Sequence, residues 1–101
     1  MFVTTTLFEV EADSLALFRA AITKHAEVTR QRENGCRRFD VNFDPKIPTR
    51  CLAYAVFADA AAYNHHIVTE HFNIFDEVTL PWVVSRSLEF WDLIASPTRV
   101  G

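Results

Sequence analysis

The sequence predicts an α+β fold in the order strand, helix, strand, strand, helix, strand. Three observations carry that prediction. Runs rich in β-branched and aromatic residues stand at both ends of the chain, Phe2 to Glu11 and Trp82 to Leu93. A long stretch of helical periodicity follows the first run, and between Gly35 and Asp59 two strand-like runs flank a turn containing two prolines. That order, closed into a four-stranded antiparallel sheet, is the ferredoxin-like βαββαβ arrangement. At 101 residues the chain has the length of one domain, residues 1–101, with only a modest core of its own.

Each element has a local reason. Asp13 or Ser14 offers an N-cap, after which Leu15, Phe18, Ile22, His25 and Thr29 recur at spacings of three and four, one face of a helix. Asn34-Gly35 ends it, with Gly35 expected in the left-handed conformation that closes a helix. Residues alternate from Cys36 to Phe43, and Arg50 to Ala58 follows the turn from Asp44 to Thr49. With Asp44 and Thr49 set symmetrically about that turn, Phe39 faces Tyr54 and Val41 faces Leu52 on the helix-covered side. Asp59 caps a short helix through Tyr63 and His66, Thr69 caps a second carrying Phe72, Phe75 and Val78, and Pro81 stops it.

The last strand places apolar residues at both parities, among them Val84, Leu88 and Phe90 against Val83, Trp91 and Leu93. Two helical regions can cover only one face of such a sheet. The expected cover for the other face is the same sheet of a second copy, a homodimer.

Composition narrows the function. Half the residues are hydrophobic, and glycine and proline together number six, a balance that argues for a compact fold. Ten basic against thirteen acidic residues leave a net charge of −3 and no basic stripe, which excludes a nucleic-acid partner. No apolar run approaches the ~18 residues of a membrane span, and Met1-Phe2-Val3-Thr4 lacks the charged start of an export signal. Cys36 and Cys51 fall near opposite ends of one hairpin, too far apart to bridge, in keeping with a cytoplasmic location.

The stretch Glu33-Asn34-Gly35-Cys36-Arg37-Arg38-Phe39-Asp40-Val41, the Asp44-Pro45 turn, Tyr54-Ala55-Val56-Phe57-Ala58-Asp59, His66 and Thr69-Glu70-His71-Phe72 together resemble the antibiotic biosynthesis monooxygenase family. The resemblance leans toward its quinol monooxygenase and phospho-autoinducer-2 isomerase branch. It implies a dimeric α/β barrel that needs no metal, flavin or other cofactor. Ala55 stands where the family pattern has Glu, and Phe57 where it often has Trp.

His66 and His71 match the family's two histidines, and imidazole suits proton transfer near neutrality, so both are candidate catalytic residues. Each also has an ordinary reading, as a polar contact or a helix-end residue. His25, on the apolar stripe of the long helix, points inward as a core histidine or as pocket lining. Phe39 and Tyr54 form an expected aromatic wall, and Trp82 an expected pocket end, which makes these three and His25 the candidate substrate-binding residues. A metal site among the histidines and Glu70 is not expected, since residues 66 and 71 lie about 140° apart on a continuous helix. They converge only where the helix breaks at Thr69.

The resemblance thus implies a cofactor-independent monooxygenase of a small phenolic or hydroquinone substrate. Two other readings stand beside it: an isomerase of a small carbonyl compound, phosphorylated or not, and a non-catalytic small-molecule-binding dimer module.

Overall fold

The structure, a computed structural model, describes residues 1–98. Strand β1 (Phe2–Val10) leads through a 3-10 turn at Ala12–Ser14 into helix α1 (Leu15–Arg32). The hairpin β2 (Cys36–Phe43) and β3 (Arg50–Phe57) follows, then the short helix α2 (Ala60–His66) and helix α3 (Glu70–Thr79). A second 3-10 turn, Leu80–Trp82, delivers the chain to β4 (Val83–Asp92). The sheet order is β2-β3-β1-β4 with every neighbouring pair antiparallel. This is the ferredoxin-like arrangement, with the helices on one face.

The stripe predicted for α1 is the face it buries: Phe18, Ile22, His25, Ala26 and Thr29 all lie inside. Phe18 and Ile22 pack in one cluster with Phe8 and Val10 of β1, Cys51 and Ala53 of β3 and Phe75 of α3. Phe18 is the hub, its ring 5.2 Å from Phe8 and 6.3 Å from Phe75. Burying one phenyl side chain of this kind stabilises by ~1.5–3 kcal/mol.

Two local expectations change. Gly35 is not left-handed. It is small because helix α2 crosses over it, and a Cβ there would lie 2.7 Å from that of Ala62. The hairpin is also shifted by one residue. Asp44 accepts the amides of Lys46 and Ile47 on its side chain and pairs through its own amide with the carbonyl of Arg50, not Thr49.

Phe39 therefore lies opposite Ala55, Val41 opposite Ala53, and Tyr54 opposite Asp40. A slip of one residue exchanges faces. Tyr54 sits on the sheet face away from the helices, with the Arg38 guanidinium 5.8 Å from its ring centroid. The strand end is irregular too: the pairing jumps from Cys36 to Arg38 and leaves Arg37 as a bulge.

Candidate active site

His66 closes α2 and His71 stands in the first turn of α3, and the three residues between the two helices, Ile67 to Thr69, break the helix. Thr69 makes the break. Its hydroxyl accepts the amide of Phe72, capping α3, and donates to the carbonyl of His66, fastening the end of α2. The 140° separation of an unbroken helix is gone, and the two imidazoles converge.

They converge on Glu33. This residue leaves the end of α1 in extended conformation, its amide still bonded to the Thr29 carbonyl, and turns its side chain inward. One oxygen, Oε2, lies 2.8 Å from His66 Nδ1 and 2.5 Å from His71 Nε2. An ionised carboxylate only accepts, so both ring nitrogens carry protons toward it. His66 is thereby held with its other nitrogen, Nε2, free as an acceptor. The side chains of His66, Glu33 and His71 keep 5%, 4% and 12% of their surface in solvent.

His25 completes the group. Its ring stacks on Phe75 at 4.4 Å and stands edge-on to Phe39, with centroids 5.4 Å from His66 and 5.9 Å from His71. Burial pushes its pKa down to about 3, helped by His66 and His71, so it is neutral at physiological pH. Burial likewise lowers His66, against the raising effect of the Glu33 hydrogen bond and charge. A neutral His66 is a base ready to accept a proton.

Between these rings and the sheet lies a cavity of about 140 Å³. His25, Phe39, Phe57, Tyr63, His66 and Phe72 supply its walls, and Ala53 and Ala55 leave room at its floor. An apolar cavity of ~150 Å³ accommodates one benzene ring. A second hollow of about 360 Å³ opens between α1 and α3, bordered by Lys24, His25, Arg32 and His71.

The structure thus brings His25, Phe39 and His66 to one cavity and places the other three expected residues elsewhere. His71 does not line that cavity; it is linked to it through Glu33 and His66 and borders the second hollow. Tyr54 is on the opposite sheet face because of the register. Trp82 packs at the margin of the core around Phe8 and Phe18 and does not line the cavity. Residues not foreseen as part of the site are Glu33 and the rings of Phe57, Tyr63 and Phe72. Tyr63 was recoverable, since it precedes His66 by three positions and so shares its helix face. Glu33 opens the stretch that carries the family resemblance, but nothing local marks it as the partner of histidines 33 and 38 positions away.

Glu33, His66 and His71 also form, among the described residues, a set of donors able to hold a cation, with one ligand atom from each within 4.8 Å of the others. Glu70, the carboxylate expected beside the histidines, is exposed and takes no part. The thiols are poor nucleophiles: burial raises Cys36 and pushes Cys51 up to about 12. No described helix is long and apolar enough to cross a membrane.

Comparison with known proteins agrees with this arrangement. No curated protein matches the chain. Among solved structures, proteins named for antibiotic biosynthesis monooxygenases superpose closely. One from Bacteroides thetaiotaomicron has TM-score 0.89 at 23% identity, covering 99% of this chain and 95% of that one. Another from Nitrosomonas europaea has TM-score 0.89 at 24% identity over 94% of this chain and all of that one. A third, from Deinococcus radiodurans, has TM-score 0.89 at 18% identity over the whole of both. At these identities the likeness is one of fold. The family model for antibiotic biosynthesis monooxygenase matches residues 1–77, the segment that carries Glu33, His66 and His71. The chain belongs to the antibiotic biosynthesis monooxygenase family.

Proposed function

We propose that the protein is a cofactor-independent monooxygenase of a single-ring phenol or hydroquinone, bound in the cavity between helices and sheet. The observation that carries this reading is the orientation of His66 by Glu33, which aims a neutral imidazole at a cavity the size of one aromatic ring. His66 Nε2 takes the phenolic proton, and the phenolate passes an electron to oxygen. One oxygen atom enters the ring and the other leaves as water. The substrate supplies both electrons this requires and ends as a quinone.

Phe39, Phe57 and Phe72 keep water from the radical pair, and His25 is a neutral wall. Glu33 and His71 are positioning residues. The expected result is oxygen uptake with one-ring hydroquinones, with kcat falling ~10²–10⁴-fold in His66→Ala. Uptake at wild-type rate in that variant would refute the mechanism, and turnover of a carbonyl substrate without oxygen would select the isomerase.

We also propose that the protein is a cytoplasmic homodimer joined through the face of the sheet opposite the helices. Trp91, Leu52 and Tyr54 supply apolar surface there, with Trp91 and Leu52 left exposed. Sedimentation should show a dimer at micromolar concentration and a monomer for Leu52→Glu; a wild-type monomer excludes this assembly.

A further inference from the structure

The cluster of Glu33, His66 and His71 satisfies its hydrogen bonds unevenly. Oε2 of Glu33 takes both imidazoles, while Oε1, buried on the same carboxylate, has no partner. His25 Nδ1, on the neighbouring ring, is buried and unpartnered as well. A buried carboxylate satisfied on one oxygen only is costly, and an ion that engages the group is one way to offset that cost.

The donors come from three separate elements: the end of α1, the end of α2 and the first turn of α3. Their convergence is imposed by the fold and not by a run of neighbouring acidic residues. Two imidazoles and one carboxylate are the donor set of zinc and of other late first-row divalent ions, whereas calcium and magnesium take oxygen. A tetrahedral ion with bonds of ~2.0–2.2 Å holds its donors about 3.3 Å apart. The ligand atoms already lie within 4.8 Å. The two imidazole nitrogens have to approach by at most about 1.5 Å, and the carboxylate oxygen, 2.8 and 2.5 Å from them, has to draw back by less than about 1 Å.

We propose that Glu33, His66 and His71 form a binding site for Zn²⁺ or a like divalent transition ion, and that its occupation withdraws the base from the cavity. The ion takes the lone pair of His66 Nδ1, so the neutral ring carries its one proton on Nε2. The nitrogen that faced a substrate as an acceptor becomes a donor. His71 is metallated at Nε2 in the same way, so its proton passes from Nε2 to Nδ1, and any further proton the cluster holds leaves to solvent. Nothing is oxidised or reduced. The site is therefore a brake on the base assigned to His66 and rests on that reading only for its consequence, not for its ligands.

The test titrates Co²⁺ into chelator-treated protein and follows the visible absorption of the tetrahedral ion. One equivalent binds, Zn²⁺ displaces it, and Mg²⁺ and Ca²⁺ do not. Glu33→Gln and His71→Asn weaken binding at least tenfold, while His65→Asn, at an exposed neighbouring histidine, leaves it unchanged. Binding that is unaltered in both ligand variants, or no tetrahedral spectrum, overturns the site. X-ray absorption on the wild-type zinc form settles the ligands without any variant: two imidazoles are expected, and one or none overturns the assignment.

Nitrogen-15 spectra of the His66 ring read the second half of the proposal, with the proton on Nδ1 in the free protein and on Nε2 in the zinc form. A ring that keeps its tautomer overturns the brake. Oxygen uptake measured alongside separates the two readings: metal binding with no uptake by the metal-free protein counts against the oxygenase alone.

Discussion

On the helix-facing side of the sheet Phe8, Cys51, Ala53 and Ala55 are buried, whereas on the opposite side Leu52 and Trp91 keep 39% and 51% of their surface in solvent. The two faces are made by alternate residues of the same strands. Ala53 and Ala55 form a cavity floor, and Tyr54 between them lies under an arginine on the far side. Polar groups differ in the same way. The closed face holds His25 and His66, which burial pushes toward the neutral form, beside one buried carboxylate, while the open face carries the exposed pair Arg38–Asp40 and a hydrogen bond from Trp91 to Thr5. Acid–base chemistry is concentrated where water is scarce. Apolar side chains are left uncovered where it is plentiful.

The largest effect that tests this contrast is acid sensitivity. His25 keeps its proton off down to about 3 in the folded protein, against 6.5 for a free imidazole. Its folded pKa is depressed, so the unfolded chain binds the proton first. Stability present above pH 6.5 is lost as pH falls toward 3, by about 5 kcal/mol over the whole window. Between pH 7 and pH 4.5 His25→Leu should lose about 3 kcal/mol less than the wild type in urea unfolding. Equal losses would mean that His25 is hydrated in solution and that the closed face is not closed.

A comparable effect belongs to packing. Phe18→Ala empties the centre of the closed face and should cost ~3–5 kcal/mol, measured from the same unfolding curves. A cost under 1 kcal/mol would show that the core collapses around the gap. The smallest effect lies on the other face. Arg38→Ala, which removes an exposed ion pair 2.6 Å long, should change stability by less than ~0.5 kcal/mol and lose even that in high salt. A larger loss that grows with protein concentration would instead place Arg38 in an interface between copies.

Much of the fold was legible in residue order. The caps at Asp59 and Thr69, the stripe from Phe18 to Thr29 and the bounds of β2 follow from local chemistry, and the structure has them. The hairpin register was not legible, because it turns on which backbone groups the Asp44 side chain captures. One residue of slip moved Tyr54 out of the candidate site. Gly35 was assigned a backbone role, yet its reason is Ala62, twenty-seven positions away and invisible to any local rule.

What the sequence determined by itself is the set of elements and the residue types available for chemistry, since periodicity, caps and turn residues act over a few positions. Only the tertiary structure decided which of them meet. Glu33 finds His66 and His71 across separations of 33 and 38 residues, and the break at Thr69 that aims both rings at one oxygen has meaning only once α1 ends beside it. Hydrogen bonds of that span are fixed by how helices pack on a sheet, and packing is a property of the whole chain.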